Sequence, residues 1–305
     1  FYDAYFYLVN CFNEILGNGL LLRTYEIPAS VFEDQGYRVR YGFYRDLRGF
    51  TAKYNWKWGY FKALRGVTLA NTLPPTLEER ERRPDLTEAM ETGVNFFGQT
   101  AGLVVMRNTN DQSKDSFYSL LLKGNITSLL SYNIEFAHNI VPGNSWVGLE
   151  DDARYGIYGS LNYSYGSFGF SAEYKNYHDL LIGAGISDPP TLVKEHKYRL
   201  LNRNIHVPQY FSERGTQLEA YYSFRDGSRL LLNYARAVNE LNRTFVFSEY
   251  FAENFFYAGS KSTLTIFADY SREQIKFEDH RYTAGLTWEY AFKGKNSTLL
   301  KTEYQ

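Results

Sequence analysis

Residues 159–177 read GSLNYSYGSFGFSAEYKNY, and the stretch alternates between two chemistries. Leu161, Tyr163, Tyr165, Phe168, Phe170, Ala172 and Tyr174 are apolar or aromatic, whereas Ser160, Asn162, Ser164, Ser171, Glu173 and Lys175 are polar. A period of two marks a strand with one apolar and one polar face. Gly166-Ser167 suits a two-residue hairpin turn, because glycine takes a positive φ at no steric cost. Closing the turn there pairs Tyr165 with Phe168, Tyr163 with Phe170 and Leu161 with Ala172, all on one face. A slip of one residue would mix the faces, so the register is specified.

The same pattern recurs. Leu218, Ala220, Tyr222 and Phe224 alternate with Gln217, Glu219, Tyr221 and Ser223. A three-residue loop at Asp226-Gly227-Ser228 places Phe224 opposite Leu230 and Tyr222 opposite Leu232. Leu264, Ile266, Ala268 and Tyr270 form another apolar face, and Tyr282, Ala284, Leu286, Trp288 and Tyr290 one more. Candidate strands fall at 2–11, 15–26, 48–56, 59–66, 89–97, 101–107, 116–123, 128–138, 154–165, 168–177, 213–225, 229–236, 244–258, 262–270, 281–292 and 298–305. Short connections at 12–14, 57–58, 98–100, 124–127, 166–167, 226–228, 259–261 and 293–297 alternate with longer ones at 27–47, 67–88, 108–115, 139–153, 178–212, 237–243 and 271–280.

A meander with tight turns at one end and long loops at the other is the pattern of an outer-membrane barrel. The predicted fold is therefore all-β: a transmembrane antiparallel up-and-down β-barrel of about 16 visible strands, in a range of about 14–20, forming a single domain over 1–305. Closure satisfies every backbone group, which lipid demands. The apolar face then meets lipid, through Leu161, Tyr163, Phe170, Leu218, Tyr222, Leu230, Leu264, Ile266, Leu286 and Trp288. Tyr163, Tyr165, Phe168, Phe170, Trp288 and Tyr290 lie near short turns, where an aromatic girdle belongs. The polar face turns the charged residues Lys53, Lys62, Glu91, Glu135, Glu173, Lys175, Glu219, Asp269, Glu289, Lys301 and Glu303 toward the lumen. A large soluble all-β protein is the competing fold. It would need a second sheet over the apolar face and strands apolar on both sides, and no strand here has that character.

Composition agrees with a barrel. Aromatic residues make up 18% of the chain and its net charge is -1, which offers nothing to nucleic acid. No run of about 18 apolar residues is present, which excludes a transmembrane helix. A mean hydropathy of -0.43 is compatible with a polar lumen and polar loops. The single cysteine, Cys11, forms no internal disulfide and no cysteine-rich metal site. The chain opens on Phe1, which is expected of the ordered part of a longer, processed protein. By the strand count both visible ends sit at the loop side, so at least one further strand is expected beyond each.

ISDPPTLVKEHKYRLLNRNIHVP at 186–208 resembles a phrase of an uncharacterised family of outer-membrane β-barrel proteins from Bacteroidota. GNGLLLRTYE at 17–26, SEYFAENFFYAGSKSTLTIFADYS at 248–271 and HRYTAGLTWEYAFKGKNST at 280–298 resemble further phrases of it, in the same order. At Gly17-Asn18-Gly19 the chain departs from the family's Gly-Arg-Gly. The resemblance covers about a third of the chain. It implies an integral barrel of the bacterial outer membrane and a signal peptide lost from the mature chain, and it implies no activity.

The 178–212 connection is long for a structureless loop. It carries Lys194, Lys197, Arg199, Arg203, His196 and His206 against Asp188 and Glu195, with Pro189, Pro190 and Pro208 around it. Two readings stand: an ordered extracellular loop, or a loop inserted in the lumen whose Lys194, Lys197, Arg199 and Arg203 line a constriction. If it enters the lumen, Glu135, Glu173, Glu219 or Asp269 are the expected partners. EERERRPD at 78–85 reads as a solvated loop, and three Asn-x-Ser/Thr matches carry no weight in a bacterial barrel. HExxH, the Walker A pattern and Gly-x-Ser-x-Gly are missing, and His138, His178 and His280 lie near strand ends. No catalytic residue, metal or cofactor is therefore expected. Two functions remain: a porin-like passage for small polar solutes, or an accessory barrel anchoring a larger outer-membrane assembly without transport of its own. The expected partners are outer-membrane lipid and, in the second case, other outer-membrane proteins.

Overall fold

The computed structural model describes residues 47–71, 82–111, 113–140, 154–180, 196–203, 206, 212–240, 244–292 and 297–305. Fourteen strands form one antiparallel sheet in which each strand pairs with its sequence neighbours. They are β1 Leu47–Trp56, β2 Gly59–Asn71, β3 Arg82–Phe96, β4 Gln99–Thr109, β5 Lys114–Thr127, β6 Leu130–Asn139, β7 Tyr155–Tyr165, β8 Phe168–His178, β9 Ser212–Ser223, β10 Arg229–Glu240, β11 Thr244–Tyr257, β12 Ser262–Glu273, β13 Glu278–Ala291 and β14 Ser297–Tyr304. Among the described residues β1 pairs only with β2 and β14 only with β13, so the sheet is open at both edges. The expected strands 2–11 and 15–26, residues 27–46 of the expected loop 27–47, the Lys293-Gly294 turn and residues 141–153 of the expected loop 139–153 lie outside the described residues.

A meander puts every odd-to-even connection at one end. Those connections are short: Lys57-Trp58, Phe97-Gly98, Ser128-Leu129, Gly166-Ser167, the turn after β9 and the Gly259-Ser260 turn. Gly166 takes φ 55°, as the two-residue turn requires, and Tyr165 pairs with Phe168, Tyr163 with Phe170 and Leu161 with Ala172. The β9–β10 register differs from expectation by two residues. Leu230 faces Tyr222 and Leu232 faces Ala220, because Phe224 N–H bonds to the Ser228 carbonyl and lengthens the loop. A shift of two preserves the faces.

Three opposite-end connections are shorter than expected. β4 and β5 are joined by 110–113 and β10 and β11 by 241–243, while a 3₁₀ turn, Gln274–Lys276, joins β12 to β13. β3 begins at Arg82 and pairs Pro84 with Leu69, so the end of the 78–85 charge run is strand and not loop.

The faces are inverted relative to a protein folded around an apolar core. Tyr250, Tyr282, Leu232, Ile266, Leu218 and Tyr222 are exposed, whereas Lys175, Glu219, Glu173, Gln217 and Asn233 are buried. Of the ten residues expected on the apolar face, Leu161, Leu218, Tyr222 and Ile266 are exposed, the other six are half-buried and none is buried. Registers from β1 to β14 carry all eleven expected lumen charges onto the opposite face. Lys53, Glu289 and Lys301 are the exposed ones, and they sit on β1, β13 and β14, at or beside the open edges.

The apolar face carries two bands of rings. Toward the loop end Tyr234 and Tyr250 lie 4.9 Å apart and Tyr270 and Tyr282 5.0 Å apart, with Tyr270 hydroxyl 2.9 Å from His280 Nδ1. Toward the turn end stand Trp288, Tyr290 and Phe292, and Tyr222 with Phe224. Between the bands lie Ala252, Ala268, Ala284, Ile266 and Leu286.

Candidate functional site

Between its ends at 178–180 and Ser212, the 178–212 connection is described at 196–203 and at His206, and these residues lie against the polar face. That face is not uniformly polar. Leu231 on β10, Phe251 on β11 and Phe267 on β12 form an apolar island, and Tyr198 and Leu201 complete it. Tyr198 stacks on Phe267 at 3.6 Å between centroids, and His196 lies 4.3 Å from Phe251. Gly285 on β13 makes room, since a Cβ there would stand 2.3 Å from Phe267 Cε1. A five-residue helix, α1, spans Arg199–Arg203. It starts over the Glu303 carboxylate, which accepts from the backbone N–H of Arg199 at 3.2 Å and of Leu200 at 2.8 Å.

Carboxylates of the strands hold the rest of the segment. Lys197 Nζ lies 2.8 Å from Glu253 Oε1, and the Tyr198 hydroxyl donates to Glu253 Oε2. Burial, then the Glu253 charge and hydrogen bond, push the Tyr198 hydroxyl far above its usual range, so it remains a donor. His196 Nε2 lies 3.1 Å from Glu249 Oε1.

The deepest contact is a four-residue chain. Lys175 Nζ is 2.5 Å from Glu213 Oε1, Glu213 Oε2 is 3.1 Å from His206 Nε2, and His206 Nδ1 is 2.6 Å from Glu273 Oε2. All four side chains are at most 3% exposed. The His206 ring also stacks on Phe247 at 4.6 Å. Gly215 lies beneath Lys175, where a Cβ would stand 2.7 Å from Lys175 Cε. Two cations between two carboxylates balance the charge, which burial demands.

Burial by itself would lower the His206 pKa, but the hydrogen bonds and charges of Glu213 and Glu273 outweigh it and raise the value. The unfolded value is about 6.5. The protonated ring therefore contributes its full stabilisation below about pH 6.5, and that contribution is lost as pH rises through the folded value. The wild type should melt above His206→Gln at pH 6, and the gap should close as pH is raised with Glu213, Glu273 and Lys175 unchanged. Apparent melting temperatures of the folded protein across pH 6–10 check this; a constant gap would show that His206 is not held as a cation.

The four residues expected in a constriction separate. Lys197 meets Glu253, Arg199 is exposed and contributes its backbone N–H, Arg203 ends α1, and Lys194 lies outside the described residues. The expected partners were Glu135, Glu173, Glu219 and Asp269; the observed ones are Glu213, Glu249, Glu253, Glu273 and Glu303. Glu135 instead accepts from Ser119 and Glu173 from Tyr158. Among the described residues no cluster of three or more His, Cys, Asp or Glu has the spacing of a metal site. No described helix is long and apolar enough to cross a membrane, which does not bear on crossing by strands. Comparisons with family models, with curated proteins and with solved structures give no match.

Proposed function

We propose that the chain is an integral outer-membrane β-barrel that forms a porin-like passage for small polar solutes, narrowed by residues 196–206. The inversion of its faces carries this reading: the exposed face is apolar and ringed, and the buried face is charged. Water would invert that arrangement, whereas lipid outside and solvent inside favour it. Tyr282 and Trp288 are six residues apart on β13 and Tyr282 and Tyr290 eight. At ~3.3 Å per residue this is roughly 20–26 Å along the strand. Outer-membrane barrels carry an apolar band of about 25 Å. Closure removes the open edges at β1 and β14, as a hydrocarbon surround requires. The mixed charges of the polar face favour weak selectivity by sign.

The covered island at Phe251 and Phe267 favours a second reading, an accessory barrel whose interior is filled and which conducts nothing. Single-channel recording of the full-length protein in planar bilayers separates the two. The passage reading expects discrete conductance steps that grow when 196–206 is replaced by a flexible linker. A folded barrel silent in both forms would discard the passage and leave the accessory reading.

A further inference from the structure

Three neighbouring rows of the apolar face carry three chemistries in a fixed order. Nearest the loop end, Thr216, Arg236, Ser248 and Arg272 are register partners on β9 to β12. Two residues toward the turn end, Tyr234, Tyr250, Tyr270 and Tyr282 are partners on β10 to β13. Two residues further comes a row of mostly small side chains, Ala220, Leu232, Ala252 and Ala268. The missing bulk there leaves a groove of about 550 Å³ beneath the tyrosines, bounded also by Phe170 and Leu218. That volume suits a small ligand, for which sites run to roughly 300–1,000 Å³.

Ser248 leaves a gap between two arginines that stand two strand spacings, roughly 10 Å, apart. Arg236 is exposed and Arg272 half-exposed. Arg236 also reaches the Tyr234 hydroxyl, and Arg272 Nη2 lies 3.4 Å from the exposed Asp279. A guanidinium has five donors, so each keeps several for a further acceptor. Arg214, one row nearer the loops, adds a third exposed cation. Rows on one face are about 6.6 Å apart along the strand. Cation, tyrosine hydroxyl and apolar groove therefore follow one another as phosphate, ester and hydrocarbon do in a lipid.

We propose that this strip binds one phosphate-bearing lipid, with its phosphate over Ser248 between Arg236 and Arg272 and an acyl chain in the alanine groove. Guanidinium forks match phosphate oxygens, and the tyrosines meet the esters between the two ends. The inference rests on the reading that this face meets lipid and needs no passage.

Native mass spectrometry of the full-length protein in detergent, given equimolar dioleoyl phosphatidic acid and dioleoyl phosphatidylcholine, tests it. One phosphatidic acid should be retained in preference by about tenfold. The preference should vanish in Arg236→Gln/Arg272→Gln and persist in Arg65→Gln, whose charge Glu88 meets at 3.2 Å. Ala268→Phe, which fills the groove, should lower retention of both lipids. A heat-modifiable band on gels verifies that each variant is folded. No retained lipid, or a preference that the arginine variants leave unchanged, would overturn the proposal. So would displacement by millimolar inorganic phosphate, which marks a free-anion site, or a dimer that Ala268→Phe disrupts in place of lipid adducts. None of these results touches the reading that the face meets lipid, which fails instead if arginine costs as much at Tyr290 as at Leu286.

Discussion

Replacing Glu213 with alanine should destabilise the docked segment by about 3–5 kcal/mol, the cost of breaking a buried ion pair from one side. Glu213 joins Lys175 on β8 to His206 of the connection, and both cations are at most 3% exposed. The variant should expose 196–206 to protease while the sheet stays folded, because the segment's remaining anchors at Glu253 and Glu303 bear on the other end. Lys175→Met in the same background should return much of the loss, since a buried pair replaced by apolar groups of similar volume is often neutral. The two changes are therefore strongly non-additive in a double-mutant cycle. Urea unfolding in detergent together with protease mapping measures this. A single variant within about 0.5 kcal/mol of wild type would show that the chain from Lys175 to Glu273 does not hold the segment.

Much of the sheet was legible because period two is a strong signal wherever one face is apolar. Gly166-Ser167 fixed the β7–β8 register, since both flanks alternate cleanly up to the turn. The β9–β10 loop misled by two residues, because Phe224 continues the apolar alternation although its N–H already closes the turn onto Ser228. The end of β3 was hidden by Arg82, Arg83, Pro84 and Asp85, whose charge and proline mimic a loop, while backbone pairing with β2 overrides both.

The site was less legible, for a specific reason. In TFVFSEYFAENFFY, residues 244–257, rings fall on both parities. Phe247, Glu249, Phe251 and Glu253 point to one face and Val246, Ser248, Tyr250 and Ala252 to the other, so no alternation tells which carboxylates are inward. Glu249 and Glu253 were missed for that reason. His196 and His206 stood out only as cations of a long connection. Their partners on β9, β11 and β12 lie 7–67 residues away in sequence, a proximity that only the folded sheet creates.

With the apolar face against lipid, as we propose, Leu286→Arg should destabilise the sheet by about 2–4 kcal/mol. Leu286 lies on β13 between Tyr282 of one ring band and Trp288 of the other, with Ile266 and Thr302 as register neighbours. That puts it near the middle of the apolar band, where an arginine has no carboxylate to meet and only a long reach to water. The cost depends on depth, falling to about 0–1 kcal/mol near the interfaces. Tyr290→Arg, at the turn-end ring band, should therefore cost much less than Leu286→Arg. On the opposite face, Thr287→Arg should also be tolerated better, since Thr287 shares the polar face with Glu289 and Glu303, which offset its repulsion from Lys301. Reversible folding into phosphatidylcholine vesicles, followed by tryptophan fluorescence, gives all three energies. Equal penalties at Leu286 and Tyr290 would mean that no depth gradient crosses this face, and the apolar side would then have to be buried by protein instead of lipid.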